Sequence, residues 1–438
     1  MDGAARWRNT GIASIILFAS IPAAALEPNK PITHYSHSVW RTADGLPQDS
    51  VRAIAQTQDG YLWLGTQAGL ARFDGVSFTT FNARNTPTLE SDHIISLCAS
   101  RDGSLWVGLG DFGGLARWVP NEGVVKIETG YHVRALHEDR DGLVWVGTEG
   151  RGLFRIVRGR PERFPPASAL TDVRAIVQGP DGVIWLGTNG QGVYRWDGKT
   201  LAHEQIDGGP GTQNILALLA DADGLWIGTR GQGLFRLRGS RREQFTVKNG
   251  LSSDVVLSLL RDSHDTLWIG TDGGGLNRYH KGRFDRYTSA DGLSGDIVRA
   301  MFQDREGILW LGTAGAGLNR LEDTLFNNYG HRDGLSNDLI SSMAEDQDGS
   351  VWIGTTEGWV NRISGTRIET FRPPGVMKTH RVGSLFTDEW DNLWASLYES
   401  PGPRIALVRG GRGVRPSVPA LPETRVRTVL HGANGTTW

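Results

Sequence analysis

A single cysteine, Cys98, stands in 438 residues, so no disulfide can form within the chain and the fold must rest on packing alone. Its thiol is expected to be buried and inert. Charge of one sign is lacking as well. A formal net charge of -2 supplies no field to draw in a polyanion, which removes nucleic acid from the expected partners. Long apolar runs are confined to the N-terminus, where Arg6 and Arg8 precede the apolar residues 11–21 and the small residues Ala23, Ala24 and Ala25. That order is the mark of a secretory signal, read here as residues 1–25 with cleavage after Ala25; an uncleaved N-terminal anchor is the alternative. No later segment offers about 18 consecutive apolar residues, so none could cross a bilayer as a helix.

Catalytic and metal-binding patterns are missing too. The 11 histidines lack ligand spacing, and His132 and His137 fall five apart in a strand region, where they face opposite sides. The EDQDG stretch at 345–349 imitates the start of a calcium loop but lacks its closing glutamate, so it is read as a hairpin. There is no Ser-His-Asp arrangement, phosphate-binding glycine loop or kinase signature. The chain is therefore expected to carry no catalytic residue, no metal and no cofactor.

What the chain does have is tryptophan at even spacing. Trp63, Trp106, Trp145, Trp185, Trp226, Trp268, Trp310, Trp352, Trp394 and Trp438 recur at intervals of 39 to 44 residues, among 59 glycines. A period of roughly 40 to 45 residues, filled with short apolar runs and glycine turns, suits a four-stranded antiparallel blade, the unit of a β-propeller. In the repeat at 291–329 the innermost strand is expected at 297–303, the second at 308–312, the third at 318–321 and the outermost at 326–329.

Asp-Gly hairpins such as Asp59-Gly60, Asp141-Gly142 and Asp348-Gly349 join the first two strands, because that pair tolerates the positive φ a tight turn demands. The tryptophan that follows would pack its ring between neighbouring blades, worth on the order of 3 kcal/mol each. Gly and Thr come next in most repeats, the glycine letting backbones converge near the axis. Arg72, Arg117, Arg155, Arg195, Arg236, Arg278, Arg320, Arg362 and Arg404 recur on the third strand. Each is expected to pair with a hairpin carboxylate such as Asp139, Asp262, Asp304 or Asp346.

The segment HYSHSVWRTADGLPQDS parallels the one around residue 330. In both, a Gly-Leu pair follows an aromatic strand, and Leu46, Leu251, Leu293 and Leu335 all lie 17 residues before the next tryptophan. An outer strand entered without its own blade is how a ring closes on its last blade. The expected organisation is thus all-β: a seven-bladed propeller of four-stranded antiparallel blades at 27–322. A second, incomplete propeller follows at 323–438, holding blades eight and nine and the start of a tenth, with the chain reading as truncated at Trp438. A continuous ring of nine or ten blades is the alternative.

GLSSDVVLSLLRDSHDTLWIGTDGGGLNRY at 250–279, echoed at 291–321 and 333–363, resembles the two-component regulator propeller repeat. Trp394 departs from that pattern, followed by Ala395 and Ser396 in place of an apolar residue and Gly-Thr. The resemblance implies the periplasmic sensor of a membrane receptor, a homodimer when intact, whose output would be a histidine kinase or diguanylate cyclase. The implied ligand is a small molecule or oligosaccharide, and the membrane would be met only through a missing C-terminal part or an uncleaved signal. The hairpins also resemble those of streptogramin lyase propellers and, more distantly, of sialidases. Lyase repeats, however, continue with Phe-Thr-Glu, and a sialidase needs arginines gathered on the central face, whereas the recurrent arginines here sit on third strands.

Recognition of an asymmetric ligand requires groups that differ between blades. The loops between second and third strands vary in that way, presenting Gln67, Asp111, Glu149, Arg151, Asn189, Gln191, Arg230, Gln232, Asp272 and Glu357. Arg151 and Arg230 are the first choices for an acidic ligand. A free-standing protein- or carbohydrate-binding propeller is the competing reading.

Overall fold

The computed structural model describes residues 26–414, except 112, 128–129, 207–209, 324–328, 366, 373–380, 389–391, 399–404 and 410–411. The proposed signal, Arg404 and Trp438 lie outside the described residues. The chain divides into two compact units, 1–325 and 326–438.

In the first unit seven four-stranded antiparallel sheets follow one another, each in the order inner, second, third, outer. Six of them are simple meanders; the first runs Ala53–Gln56, Leu62–Thr66, Gly69–Phe73 and Phe78–Phe81. The seventh takes Val298–Gln303, Leu309–Thr313 and Leu318–Glu322 from its own repeat and its outer strand from the N-terminus, where Ser36–Trp40 pairs antiparallel with Leu318–Glu322. The expected outer strand at 326–329 is thus replaced in that blade by the closing strand, and 326–328 lie outside the described residues. Closure is complete, because the inner strands of the first and seventh sheets are neighbours. The second unit holds two more such sheets, beginning at Ile340–Glu345 and Arg381–Thr387.

From Trp63 to Trp352 each repeat tryptophan packs forward onto the second strand of the next sheet. Trp63 lies against Leu105 and Val107, Trp226 against Leu267 and Ile269, and Trp310 against Leu62 and Leu64 across the closure. Trp63, Trp226 and Trp268 are completely buried. The glycine two residues on makes the approach possible. A Cβ on Gly312 would sit 2.8 Å from both the Val51 Cγ1 and its carbonyl oxygen, and one on Gly65 2.9 Å from Ile94 Cγ2. These glycines therefore admit the next blade's first strand, so that neighbouring backbones converge near the axis as expected. The threonine that follows closes the next loop: Thr66, Thr148, Thr229, Thr271 and Thr313 are fully buried and donate their hydroxyls at 2.8 Å to the carbonyl of the glycine opening strand three.

The third-strand arginines behave otherwise than expected. Asp139, Asp262, Asp304 and Asp346 accept the indole N–H of the tryptophan six residues later, at 2.8, 2.7, 2.7 and 2.9 Å. The arginines stand directly across the ladder from the tryptophans, Trp106 opposite Arg117 and Trp226 opposite Arg236, and both guanidiniums lie 4.8 Å from the ring. Some do reach hairpin carboxylates: Arg117 to Asp102, Arg236 to Asp223, and Arg362 to Asp346 and Asp348. Arg278 instead pairs with Asp285 on the outer strand, Arg320 with Glu322 of its own strand, and Arg72 stacks on Tyr61 at 4.4 Å. Trp394, despite its altered neighbours, keeps its bond to Asp388 at 2.8 Å.

Candidate functional site

The inner strands share one irregularity that aims side chains at the axis. In the second to seventh blades the pairing of the first two strands slips by one residue just after a buried Val or Ile, as between Val133 and Ala135 or Val298 and Ala300. The β-branched residue, fully buried in every case, fills the space over the preceding blade's glycine. The extra residue cannot pair, and it turns away from both sheets. Arg52 takes the same place in the first blade, its backbone N–H bonded to the Gly65 carbonyl at 2.8 Å.

These seven residues, one from each blade, line a cavity of about 200 Å³ at the axis: Arg52, Ile95, Arg134, Arg174, Leu216, Leu257 and Arg299, joined by Arg230 from a loop. Its charge is unevenly compensated. Glu149 pairs with Arg134, accepting from Nε at 2.8 Å, and Asp172 pairs with Arg174 at 3.1 Å while also accepting from Asn189 at 2.9 Å. Among the described residues no carboxylate forms an ion pair with Arg52, Arg230 or Arg299, and the Arg52 Nε is buried without a hydrogen-bond partner. Burial, and then the guanidiniums of Arg299 and Arg134, hold Arg52 below the usual arginine range, with Asp111 pulling the other way. Burial and the charge of Arg52 likewise lower the pKa of His93, whose Nδ1 lies 3.3 Å from Asp111.

The loop residues singled out from sequence divide into two sets. Asp111, Glu149, Asn189 and Arg230 come to the mouth, through the contacts just given. Asp111 holds a left-handed backbone, φ 51°, and is exposed. The others do not line it. Gln67 bonds Gln48 at 3.1 Å, and Arg151 stacks on Tyr131 at 5.4 Å. Gln191 ties its loop to the segment before the blade's inner strand through the Thr171 N–H and the Ala169 carbonyl, and the Gln232 N–H is held by Thr229. Asp272 is exposed, as is Glu357, which belongs to the second unit.

Arg52, Arg134, Arg174 and Arg299 escaped the sequence reading, although a signal was present. Each lies 11 residues before its blade's tryptophan, a position otherwise held by Ile95 and Leu257, and by Leu216 at ten. The recurrent arginines do sit on third strands, but a second set, Arg52, Arg134, Arg174 and Arg299, lines the central face. The cavity wall nevertheless holds no Tyr, Asp, Glu, His or Cys, so it offers no nucleophile or general acid of its own. Among the described residues no group of three or more His, Cys, Asp or Glu is placed to hold a metal ion. Burial pushes the Cys98 thiol up to about 11, which keeps it protonated and unreactive at neutral pH.

A family described as "Two component regulator propeller" matches residues 45–68, 128–150, 169–190, 208–231, 250–273, 292–315 and 334–357. One matching relative, Histidine kinase P4 of Formosa agariphila, is 38% identical over 80 residues, which make up 18% of this chain and 6% of the kinase. Among solved structures, the extracellular domain of a hybrid two-component system from B. thetaiotaomicron is similar over 92% of this chain and 57% of its own, with TM-score 0.72 and 21% identity. Virginiamycin B lyase from Staphylococcus aureus is similar over 66% of this chain and 99% of its own, with TM-score 0.52 and 15% identity. The last two show the propeller fold. The chain thus spans a small part of the kinase and just over half of the hybrid-system domain.

Proposed function

Because the chain belongs to the two-component regulator propeller family, we propose that it is the extracytoplasmic, ligand-sensing region of a membrane receptor whose output is a histidine kinase or diguanylate cyclase. The observation that supports this reading is the asymmetry of the axial mouth. Seven blades built on one pattern present seven side chains that differ in charge and bulk, arginine on four and aliphatic residues on three, at the one place where all blades converge. A scaffold position has no need to vary in this way, whereas a recognition surface does.

Signalling follows if the ligand prefers one of two packings of the receptor, so the intact receptor is expected to act as a homodimer. Location is tested by fusing alkaline phosphatase, active only outside the cytoplasm, after residue 438. High phosphatase activity in intact cells is the expected outcome. A fusion active only with a cytoplasmic reporter overturns the sensor reading whatever the propeller binds.

A further inference from the structure

We infer that the axial mouth of the seven-bladed ring binds a small organic anion, its oxyanion head between Arg52 and Arg299 and its apolar body against Leu216 and Leu257. The argument starts from where each residue sits. Arg299 and Arg52 come from the seventh and first blades, which are adjacent across the closure, and Leu216 and Leu257 come from the adjacent fifth and sixth blades. The wall thus has two arginines where the seventh and first blades meet and two leucines at the fifth and sixth, with Arg230 reaching it from the fifth blade's loop.

Two of its guanidiniums are already satisfied, Arg134 by Glu149 and Arg174 by Asp172. Arg52 and Arg299 are not, and Arg299 lies near enough to disfavour the charge on Arg52. Placing like charges together, with one buried Nε left without an acceptor, opposes folding unless something supplies a negative charge and acceptor oxygens. Of the negative groups nearby, Glu149 and Asp172 hold their own arginines, and exposed Asp111 faces His93 and offsets the charge on Arg52 only in part. A planar carboxylate suits the two-pronged guanidinium, and a sulfonate or sulfate shares that chemistry. The cavity of about 200 Å³ suits a small molecule, and the two leucines favour one whose far side is apolar.

This rests on the sensor reading only for what the bound anion signals; binding itself is measured on the purified chain and can succeed where the phosphatase fusion fails. Calorimetric titrations at low ionic strength with benzoate, benzenesulfonate, acetate and glucose separate head from body. Benzoate or benzenesulfonate is expected to bind at least tenfold more tightly than acetate, and glucose not at all; binding of only one of the two aromatic anions identifies the preferred head. Arg299→Ala alone, at an exposed position, and the Arg52→Ala, Arg299→Ala pair should weaken the aromatic anion at least tenfold. Leu216→Asn should weaken benzoate while leaving acetate unchanged. Equal affinity in wild type and the Arg299→Ala variant, equal affinity for acetate and benzoate, or binding of none of the anions overturns the inference.

Discussion

The ring and the second unit use the same inner-strand residues with different results. The β-branched residue that opens each of the ring's inner strands, from Val51 round to Val298, has no exposed surface. Its counterpart Ile340, which opens the second unit, is 41% exposed, and Met343, three residues on, is 67% exposed where the equivalent Ile54 is 9%. Inside the second unit the difference disappears one sheet later: Val382 is again fully buried, because Gly354 stands before it with room for a Cβ only 2.5 Å from its Cγ1. Burial at these positions is therefore a property of the junction between consecutive sheets. An apolar residue there is hidden when a glycine-bearing second strand of the same unit packs against it.

The strongest way to break the comparison is at the closure. Gly312→Val would drive a branched side chain into Val51 and its carbonyl, and we expect a loss of more than about 3 kcal/mol, since backbone leaves little room to yield. Urea unfolding of the purified chain measures it, and an unchanged midpoint would show that the ring tolerates an open seam. Next comes a matched pair at one repeat position. Ile54→Ser should cost about 2–3 kcal/mol through lost burial, while Met343→Ser should stay within about 0.5 kcal/mol. Similar costs for the two would contradict the junction account.

The smallest effect concerns acid. His37 lies on the closing strand, bonded to Asn319 at 2.9 Å and edge-on to Tyr287, and burial holds its pKa below the usual 6.5. A depressed histidine favours the folded state when neutral, so its contribution is present above about pH 6.5 and is lost as pH falls from there through the lower folded value. His93 and His137 are shifted in the same direction by burial. The melting temperature should drop between pH 7 and pH 5, and His37→Gln should flatten part of that slope. An identical slope in the variant would remove His37 from the account.

Much of this was legible in the residues because the signals were local and repeated. Tryptophan spacing counted the blades, Asp-Gly marked the hairpins, and the parallel between residues 34–50 and those around 330 exposed the closing strand. The partners of the repeated side chains were less legible. Asp262 and the Arg278 guanidinium looked complementary, yet the aspartate is taken by Trp268 and by the backbone N–H groups of His264 and Thr266. The arginine meets Asp285, Tyr35 and the Lys30 carbonyl, the last two 243 or more residues away in sequence. The candidate site was half legible. Loop residues such as Glu149 and Arg230 announced themselves by varying between blades, but the arginines at the axis sit inside apolar strands, where an alternation argument treats them as one face among two.

From its residues alone, then, the chain settled the repeating unit, the number of blades and the means of closing the ring, because each depends on turn chemistry and on spacing a few residues wide. Which side chains converge at the axis was decided only in three dimensions. A one-residue slip in the inner ladders of the second to seventh blades, and the matching place of Arg52 in the first, bring Arg52, Arg134, Arg174 and Arg299 to one cavity, and residues about 40 positions apart become neighbours only when seven sheets share a centre.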